Sequence, residues 1–324
     1  MDVSCAFPPR RDTPELIAVA EDLGYARAFV YDSPALYQDL WATLARAADR
    51  TTRIGLGSAV LVPGLRHVMV NAAAIAGLVD LAPGRVTVAV GAGFTGRMTM
   101  GQSAMRWRAV RDYVETLQAL LAGETVDVDG KPCRMLHPEG WAPPRPIRVP
   151  FLIGADGPKG HAVARELGDG IATALPDGAG FARAAMLTFG TVLTEGERAG
   201  DERPVAAAGA AVTVAAHFGY MHGGMYGALV DALPGGTEWR ASIDAVDAAQ
   251  RHLLLHEQHL TGINDRDRPL VTADAISTLT WTGTADALAA RRDATAAAGI
   301  TELVYQPIGP DPVRELREWI TALT

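Results

Sequence analysis

Apolar and polar positions along the chain form repeated units of one short strand followed by one helix. Parallel strands that are buried on both faces are continuously apolar, and eight segments have this character. Most of them precede a stretch in which apolar residues recur at the three- and four-residue spacing of a helix. We predict strands at residues 3–7, 26–32, 54–62, 85–90, 151–155, 170–175, 205–216 and 301–306.

Eight strand–helix units predict an α/β fold, the TIM (β/α)8 barrel, whose reactive groups lie at the carboxyl ends of the strands. An open doubly wound sheet also alternates strands and helices, but the strand count and the length of 324 residues favour the barrel. We predict a helix at 181–196 before strand 7 and a mostly helical insertion at 217–280 after it, because that segment is too long for one crossover helix. We expect residues 1–324 to form a single domain.

Composition narrows the class of protein. The net charge of −8 argues against nonspecific binding to nucleic acid. No apolar run reaches the roughly 18 residues that span a bilayer, and the first residues lack a basic segment typical of a signal peptide. Only two cysteines occur, which fits a reducing compartment. We therefore expect a cytoplasmic protein that binds neither nucleic acid nor membrane.

Two glycine-rich segments directly follow predicted strands. In the first, Gly91 and Gly93 would let a flat or phosphorylated ligand approach the backbone, although a tight turn has the same pattern. No helix start is evident at 94–98, so the segment does not match a dinucleotide fingerprint.

The second glycine-rich segment runs from Gly154 to Lys159, and we predict that a helix begins near Pro158. Free N–H groups at a helix start attract phosphate, and Lys159 adds a positive charge. An ordinary capped loop is the alternative. Lysine occurs only at Lys131 and Lys159, and this rarity favours the phosphate site.

Three further groups of residues are candidates for chemistry. Asp32 ends the second strand, where a catalytic group or a helix-capping residue is typical. Ser58, Ala59 and Val60 end the third strand and, by pattern alone, are ordinary barrel core. His252, His256 and His259 share one helix face; they could bind zinc, but a role in lining a substrate pocket or exposure to solvent is favoured.

The order and spacing of several segments identify a family resemblance. The carrying segments are 20–25 (AEDLGY), 31–34 (YDSP), 48–57 (ADRTTRIGLG), 81–86 (LAPGRV), the Gly91–Gly93 loop, 154–159 and 297–304 (AAGITELV). Together they resemble the bacterial luciferase-like superfamily of flavin- and F420-dependent oxidoreductases, most closely its methylenetetrahydromethanopterin reductase branch. The resemblance covers nearly the whole chain.

This resemblance implies a barrel that holds the tricyclic ring of coenzyme F420, or alternatively FMN, at its carboxyl-terminal face. It implies a cis peptide bond between Ala59 and Val60 against the ring, and phosphate binding at 154–159. The cofactor-binding residues that it implies are Ser58, Ala59, Val60, Gly91, Gly93, Gly154, Ala155, Gly157, Pro158 and Lys159.

The residues that the relatives offer for proton transfer are absent from this sequence. Several have an acidic residue where Phe94 stands, and some have histidine where Ser33 stands. We therefore expect Asp32 or a histidine of the insertion, His259, to take this role. The insertion also offers apolar side chains to a substrate, although packing within the insertion is the favoured explanation; these are Tyr220, Met221, Met225, Tyr226 and Trp239.

The leading functional hypothesis is an F420-dependent oxidoreductase that transfers a hydride to or from a small organic substrate. The alternative within the fold is an FMN-dependent monooxygenase. Hypotheses of another class are a zinc hydrolase that uses His252, His256 and His259, and a barrel that binds a ligand without catalysis. We expect a homodimer, because relatives often dimerise.

Overall fold

The computed structural model describes the backbone of the whole chain and the side chains of residues 1–223 and 227–324. Eight parallel strands close into a barrel in the order β1-β10-β9-β8-β7-β4-β3-β2, and β5 and β6 form a separate antiparallel hairpin. The strands are β1 (Asp2–Phe7), β2 (Arg27–Val30), β3 (Gly55–Leu61), β4 (Val86–Gly91), β5 (Val126–Val128), β6 (Lys131–Cys133), β7 (Phe151–Gly154), β8 (Gly170–Thr173), β9 (Ala184–Thr188) and β10 (Glu302–Tyr305).

Helices connect the successive barrel strands except β8 and β9, which a loop joins, and short 3-10 turns occur at Pro63–Leu65 and Arg268–Leu270. The helices are α1 (Thr13–Leu23), α2 (Leu40–Ala48), α3 (Val68–Leu81), α4 (Phe94–Met98), α5 (Trp107–Ala122), α6 (Pro158–Leu167), α7 (Glu202–His222), α8 (Gly224–Ala232), α9 (Gly236–Asp244), α10 (Arg251–Leu255), α11 (Ala273–Leu279), α12 (Ala285–Ala297) and α13 (Pro312–Leu323). The predicted TIM barrel is therefore confirmed.

Local sequence signals explain where several helices begin and end. Pro14 lies in the first turn of α1, where its missing N–H costs no hydrogen bond, and Gly24 ends the helix at φ 91°. The Asp39 side chain caps α2 by accepting a hydrogen bond from the Ala42 N–H at 2.9 Å. The apolar face of α5 is buried at Val110, Val114, Leu117, Leu120 and Leu121.

The seventh strand does not lie where the sequence pattern predicts it. Residues 205–216 belong to the long helix α7, and the seventh barrel strand is β9, inside the segment predicted as a helix at 181–196. Residues 205–216 are rich in alanine, the strongest helix former, and an unbroken apolar run does not distinguish a buried helix from a buried strand. The helical insertion after strand 7 is confirmed, and it begins earlier than residue 217.

The chain divides into two compact units. The first comprises residues 1–98, 102–187 and 296–304, and the second comprises 99–101, 188–295 and 305–324. The second unit is helical and has its own apolar clusters, one of which contains Trp239, Ile243 and Leu255. The single domain over residues 1–324 stays a prediction.

One helix among the described residues, α7, is long and apolar enough to cross a membrane by length and composition. Of its apolar window, 61% is buried inside the protein, as expected for a core helix. The sequence pattern predicts no apolar segment long enough to span a membrane, and α7 corrects that prediction. Alanine and glycine make this helix moderately apolar without a long run of large side chains.

Candidate active site

The barrel interior can be followed from one strand to the next by alternation of side chains. Ile153 on β7 lies close to Gly168 at the end of α6, so its side chain faces the helices. Gly154, the next residue, therefore faces the interior. Gly154 pairs with Gly91 on β4, which places Gly91 on the interior face as well.

Val60 occupies the space beside these two glycines. A Cβ atom at Gly91 would lie 2.6 Å from Val60 Cγ2, and a Cβ atom at Gly154 would lie 2.8 Å from Val60 Cγ1. Real Cβ atoms essentially never approach so closely, so only glycine fits at both positions. We call Val60, Gly91 and Gly154, at the carboxyl ends of β3, β4 and β7, the barrel mouth.

The end of β3 departs from regular pairing where the resemblance implies it. The peptide bond between Ala59 and Val60 is cis, which confirms that expectation. The register between β3 and β4 shifts between Ser58 and Leu61. The Ser58 hydroxyl bonds to both backbone groups of Ala89, accepting from its N–H at 3.1 Å and donating to its carbonyl at 2.9 Å. The Ser58 hydroxyl thus takes the place of backbone hydrogen bonds between β3 and β4 that the register shift removes.

The loop after β4 contains a short helix, α4, that the sequence analysis does not predict. Gly93 has φ +80°, and a side chain there would collide with Val62, so backbone conformation and close packing both require glycine. Phe94 begins α4 and is 43% exposed. The five residues of α4 are too few to show the apolar periodicity on which a sequence prediction depends.

Helix α6 begins directly after β7, as predicted. Gly157 precedes it, Pro158 occupies its first turn, and no side chain caps it. Ala155 is buried and Lys159 is exposed. Asp156 holds the loop by accepting hydrogen bonds from Thr173 Oγ1 at 2.7 Å and the Ala174 N–H at 2.8 Å. The first turn of α6 thus presents uncapped backbone N–H groups beside one lysine.

Asp32 is buried, and both of its carboxylate oxygens have partners. Oδ1 accepts from Arg66 Nη1 at 2.6 Å, and Oδ2 accepts from the Val62 N–H at 3.1 Å. Burial raises the pKa of Asp32 above its ordinary value, and Arg66 opposes this rise. Arg66 also pairs with Asp39 at 2.8 Å. Nothing in the sequence indicates Arg66, because a lone arginine in a loop carries no signal.

His259 lies in the second unit, where it is buried with His256 and His217. The Nδ1 atoms of His256 and His259 are 3.2 Å apart, and His217 Nε2 lies 3.0 Å from Asp267 Oδ2. Burial lowers the pKa of His256 to about 4 and lowers that of His259 well below its ordinary value. Within residues 1–223 and 227–324, no group of three histidine, cysteine or acidic side chains is arranged to hold a metal ion, so the geometry does not support the zinc hypothesis.

The apolar side chains of the insertion pack against one another. Tyr220 and Met221 contact the cluster that contains Trp239, and the Trp239 Nε1–H donates to Asp267 Oδ1 at 2.8 Å. Packing within the insertion therefore accounts for these three residues. Met225 and Tyr226, also considered for substrate contact, lie outside the described residues.

Comparison with known proteins gives related enzymes. The chain is 34% identical over 185 residues to an F420-dependent glucose-6-phosphate dehydrogenase of Beutenbergia cavernae, covering 51% of this chain and 52% of that protein. It is 29% identical over 160 residues to a 5,10-methylenetetrahydromethanopterin reductase of Archaeoglobus fulgidus, covering 48% and 46%. The chain thus spans about half the length of the curated relatives it matches.

The fold as a whole matches a solved structure. The coenzyme F420-dependent tetrahydromethanopterin reductase from Methanopyrus kandleri superimposes with a TM-score of 0.70 over 100% of this chain and 99% of that one, at 20% identity. The family model described as luciferase-like monooxygenase matches residues 4–302. The chain therefore belongs to the luciferase-like monooxygenase family, as its sequence segments indicate.

Proposed function

We propose that the protein is an F420-dependent oxidoreductase that transfers a hydride between the deazaflavin and a small organic substrate. The observation that carries this proposal is the barrel mouth: Val60 fits against Gly91 and Gly154, and α6 begins within four residues of Gly154. The relatives named above as F420-dependent support the choice of cofactor.

The residues at the mouth fit a flat ring with a phosphate-bearing tail. Without side chains at Gly91 and Gly154, the strand ends leave Val60 as the bulky interior group there. The N–H groups of the first turn of α6 and the Lys159 ammonium are suited to a phosphate. We propose that Val60, Gly91 and Gly154 hold the ring, and that Gly157, Lys159 and the N-terminus of α6 hold the phosphate.

The chemistry asked of the protein is binding and orientation. When bound, the cofactor supplies the hydride chemistry itself. We assign Asp32 a positioning role, because its two oxygens bind Arg66 and the backbone N–H two residues after Val60. It thereby fixes the end of β3 behind Val60. A catalytic role for His259, a homodimer and a cytoplasmic location remain expectations.

The cofactor assignment is tested by titrating the purified protein with F420 and, separately, with FMN, while monitoring cofactor fluorescence. We expect saturable binding of F420 that exceeds that of FMN. The alternative, an FMN-dependent monooxygenase, is consistent with the family description and would use the same phosphate and ring sites. Tight FMN binding without F420 binding would favour the FMN-dependent monooxygenase over the F420-dependent oxidoreductase. Hydride transfer from any alcohol, or to any acceptor, would exclude a barrel that binds a ligand without catalysis.

The phosphate site is tested by Lys159→Met, with Lys131→Met as the matched control, because these are the only two lysines. Lys131 is exposed on the hairpin strand β6. Loss of one charge-assisted phosphate contact should weaken F420 binding about tenfold, and the loss should shrink at high salt. Equal affinities for both variants and the unmodified protein would remove Lys159 from the site.

A further inference from the structure

The hydroxyl of Tyr31, the residue directly after β2, is a buried polar group that the proposed function leaves unused. Tyr31 is 7% exposed. Its Oη has no hydrogen-bond partner among the residues whose side chains the structure describes. The Tyr37 ring lies beside it, with 6.0 Å between ring centroids. A buried hydroxyl without a partner carries a desolvation cost, so its retention calls for an explanation.

Strand register places the Tyr31 side chain inside the barrel. Gly91 faces the interior, and Thr87, four residues earlier on β4, shares that face. Thr87 pairs with Gly57 on β3, and Gly57 pairs with Phe29 on β2. A Cβ atom at Gly57 would lie 2.9 Å from the Phe29 ring, so this ring covers the interior face of β3. Tyr31 follows Phe29 by two residues and shares its face.

The same register places Tyr31 beside the cis peptide. The Tyr31 N–H donates to the Phe7 carbonyl at 3.2 Å, so pairing with β1 continues one residue beyond the end of β2. Val30 pairs with Ser58, and extension by one residue sets Tyr31 level with Ala59. Asp32, the next residue, turns to the opposite side, where it binds Arg66. Of this adjacent pair, only Tyr31 presents its polar group to the interior.

We propose that the Tyr31 hydroxyl donates a hydrogen bond to a carbonyl oxygen on the pyrimidine edge of the bound tricyclic ring. This inference rests on the proposed function and deepens it. Both the deazaflavin of F420 and the isoalloxazine of FMN carry such carbonyl oxygens, so the donor serves either cofactor.

The protonation state of Tyr31 suits a donor. Burial raises the pKa of Tyr31 well above its ordinary value, so the hydroxyl keeps its proton throughout the neutral range. The bond satisfies the buried group only when the ring is bound. Tyr31 therefore stabilises the complex without stabilising the free protein, in contrast to a tyrosine that is bonded within the fold.

The test compares Tyr31→Phe with Tyr113→Phe. The Tyr113 hydroxyl accepts a hydrogen bond from Asn71 Nδ2 at 2.5 Å, so it is a half-buried tyrosine with a partner inside the protein. We expect Tyr31→Phe to weaken F420 binding about tenfold, to shift the absorption maximum of the bound ring, and to leave the Tm of the free protein unchanged or higher. Tyr113→Phe should lower the Tm and leave F420 affinity unchanged.

The outcomes separate this inference from the proposed function. If the unmodified protein binds neither F420 nor FMN, the proposed function fails. If it binds one of them and Tyr31→Phe binds it equally well with the same absorption maximum, only the role of Tyr31 fails. A fall in the Tm of free Tyr31→Phe with unchanged affinity would assign the hydroxyl to the fold. If FMN alone binds, the same comparison is made with FMN.

Discussion

At the scale of single residues, the glycines of the barrel mouth are required by a neighbouring side chain. Gly91 and Gly154 leave room for the two methyl groups of Val60, and the Ser58 hydroxyl takes the place of ladder bonds beside it. The sequence pattern attributes these glycines to the approach of a ligand. Their immediate physical cause is the packing of Val60, and a ligand meets the surface that this packing creates.

The close packing of Val60 against Gly154 predicts that a larger residue at position 154 destabilises the protein. We expect Gly154→Ala to lower the free energy of unfolding by about 1–3 kcal/mol, because its methyl group would overpack against Val60 Cγ1. Val60→Ala should restore part of the loss in the double variant. Urea denaturation of the single and double variants measures the coupling.

Gly157→Ala is the matched control for that experiment, because a Cβ atom there would meet no atom within 4 Å. We expect a loss well below that of Gly154→Ala. If Gly154→Ala lowered the free energy of unfolding no more than Gly157→Ala does, the barrel mouth would accommodate a methyl group. Val60 would then not be the reason for glycine at position 154.

Much of the candidate site could be predicted from the sequence, and the rest required coordinates. The start of α6 follows from Gly157, Pro158 and Lys159, because these residue types are locally informative. The partnership of Asp32 with Arg66 joins residues 34 positions apart, and no spacing rule indicates it. The unpartnered Tyr31 hydroxyl depends on what surrounds it, which a sequence does not list.

At the scale of elements, apolar runs identify buried segments more reliably than they identify strands. Helix α3 is an apolar segment that ends at Leu81, just before the proline–glycine pair at 83–84. Helix α7 was predicted as a strand, because alanine-rich sequence is apolar all round and shows no helical face. Strand β9 has only five residues, too few to dominate the pattern around it.

The insertion contains buried histidines, and these predict a pH dependence. Helix α10 ends at Leu255, so His256 and His259 lie in the turns after it and not on the shared helix face that the sequence predicts. Burial, with smaller effects of His217 and His252, lowers the pKa of His256 from 6.5 to about 4. The unfolded chain then binds a proton at His256 more readily than the folded protein does, so stability falls as pH decreases from about 6.5 towards 4. For this one group, about 2 kcal/mol should be lost between about pH 7 and pH 5.

Urea denaturation of the protein and of His256→Gln at these two pH values tests this expectation. The variant lacks the titrating imidazole, so its stability should change less between the two pH values. An identical pH dependence of the two proteins would show that His256 does not hold its neutral form in the folded state.

At the scale of the whole molecule, a buried carboxylate connects strands where the barrel closes. Glu302 on β10 accepts from Ser4 Oγ at 2.6 Å and pairs with Arg27 Nη1 at 3.0 Å and with Arg183 Nη2 at 3.3 Å. Its side chain is 2% exposed. One residue thus links β1, β2 and β10 with the arginine that precedes β9.

Removal of this carboxylate should destabilise the barrel. We expect Glu302→Leu to lower the free energy of unfolding by about 3 kcal/mol, because Arg183 loses this carboxylate, Arg27 keeps only Asp2, and the buried Ser4 hydroxyl loses its acceptor. Asp2→Asn is the control, since Asp2 also pairs with Arg27 but is 53% exposed, and it should cost less than about 1 kcal/mol. Chemical denaturation of both variants measures the two free energies of unfolding. A small effect of Glu302→Leu would mean that backbone pairing alone closes the barrel.

The packing of Val60 against two glycines also bears on how such proteins diverge. Positions 60, 91 and 154 share one volume, so a side chain can be gained at either glycine only after the valine has become smaller. The order of mutational steps is thereby constrained, because the reverse order passes through a clashing intermediate. Among descendants of a common ancestor, a side chain at position 91 or 154 should therefore occur only together with a residue smaller than valine at position 60.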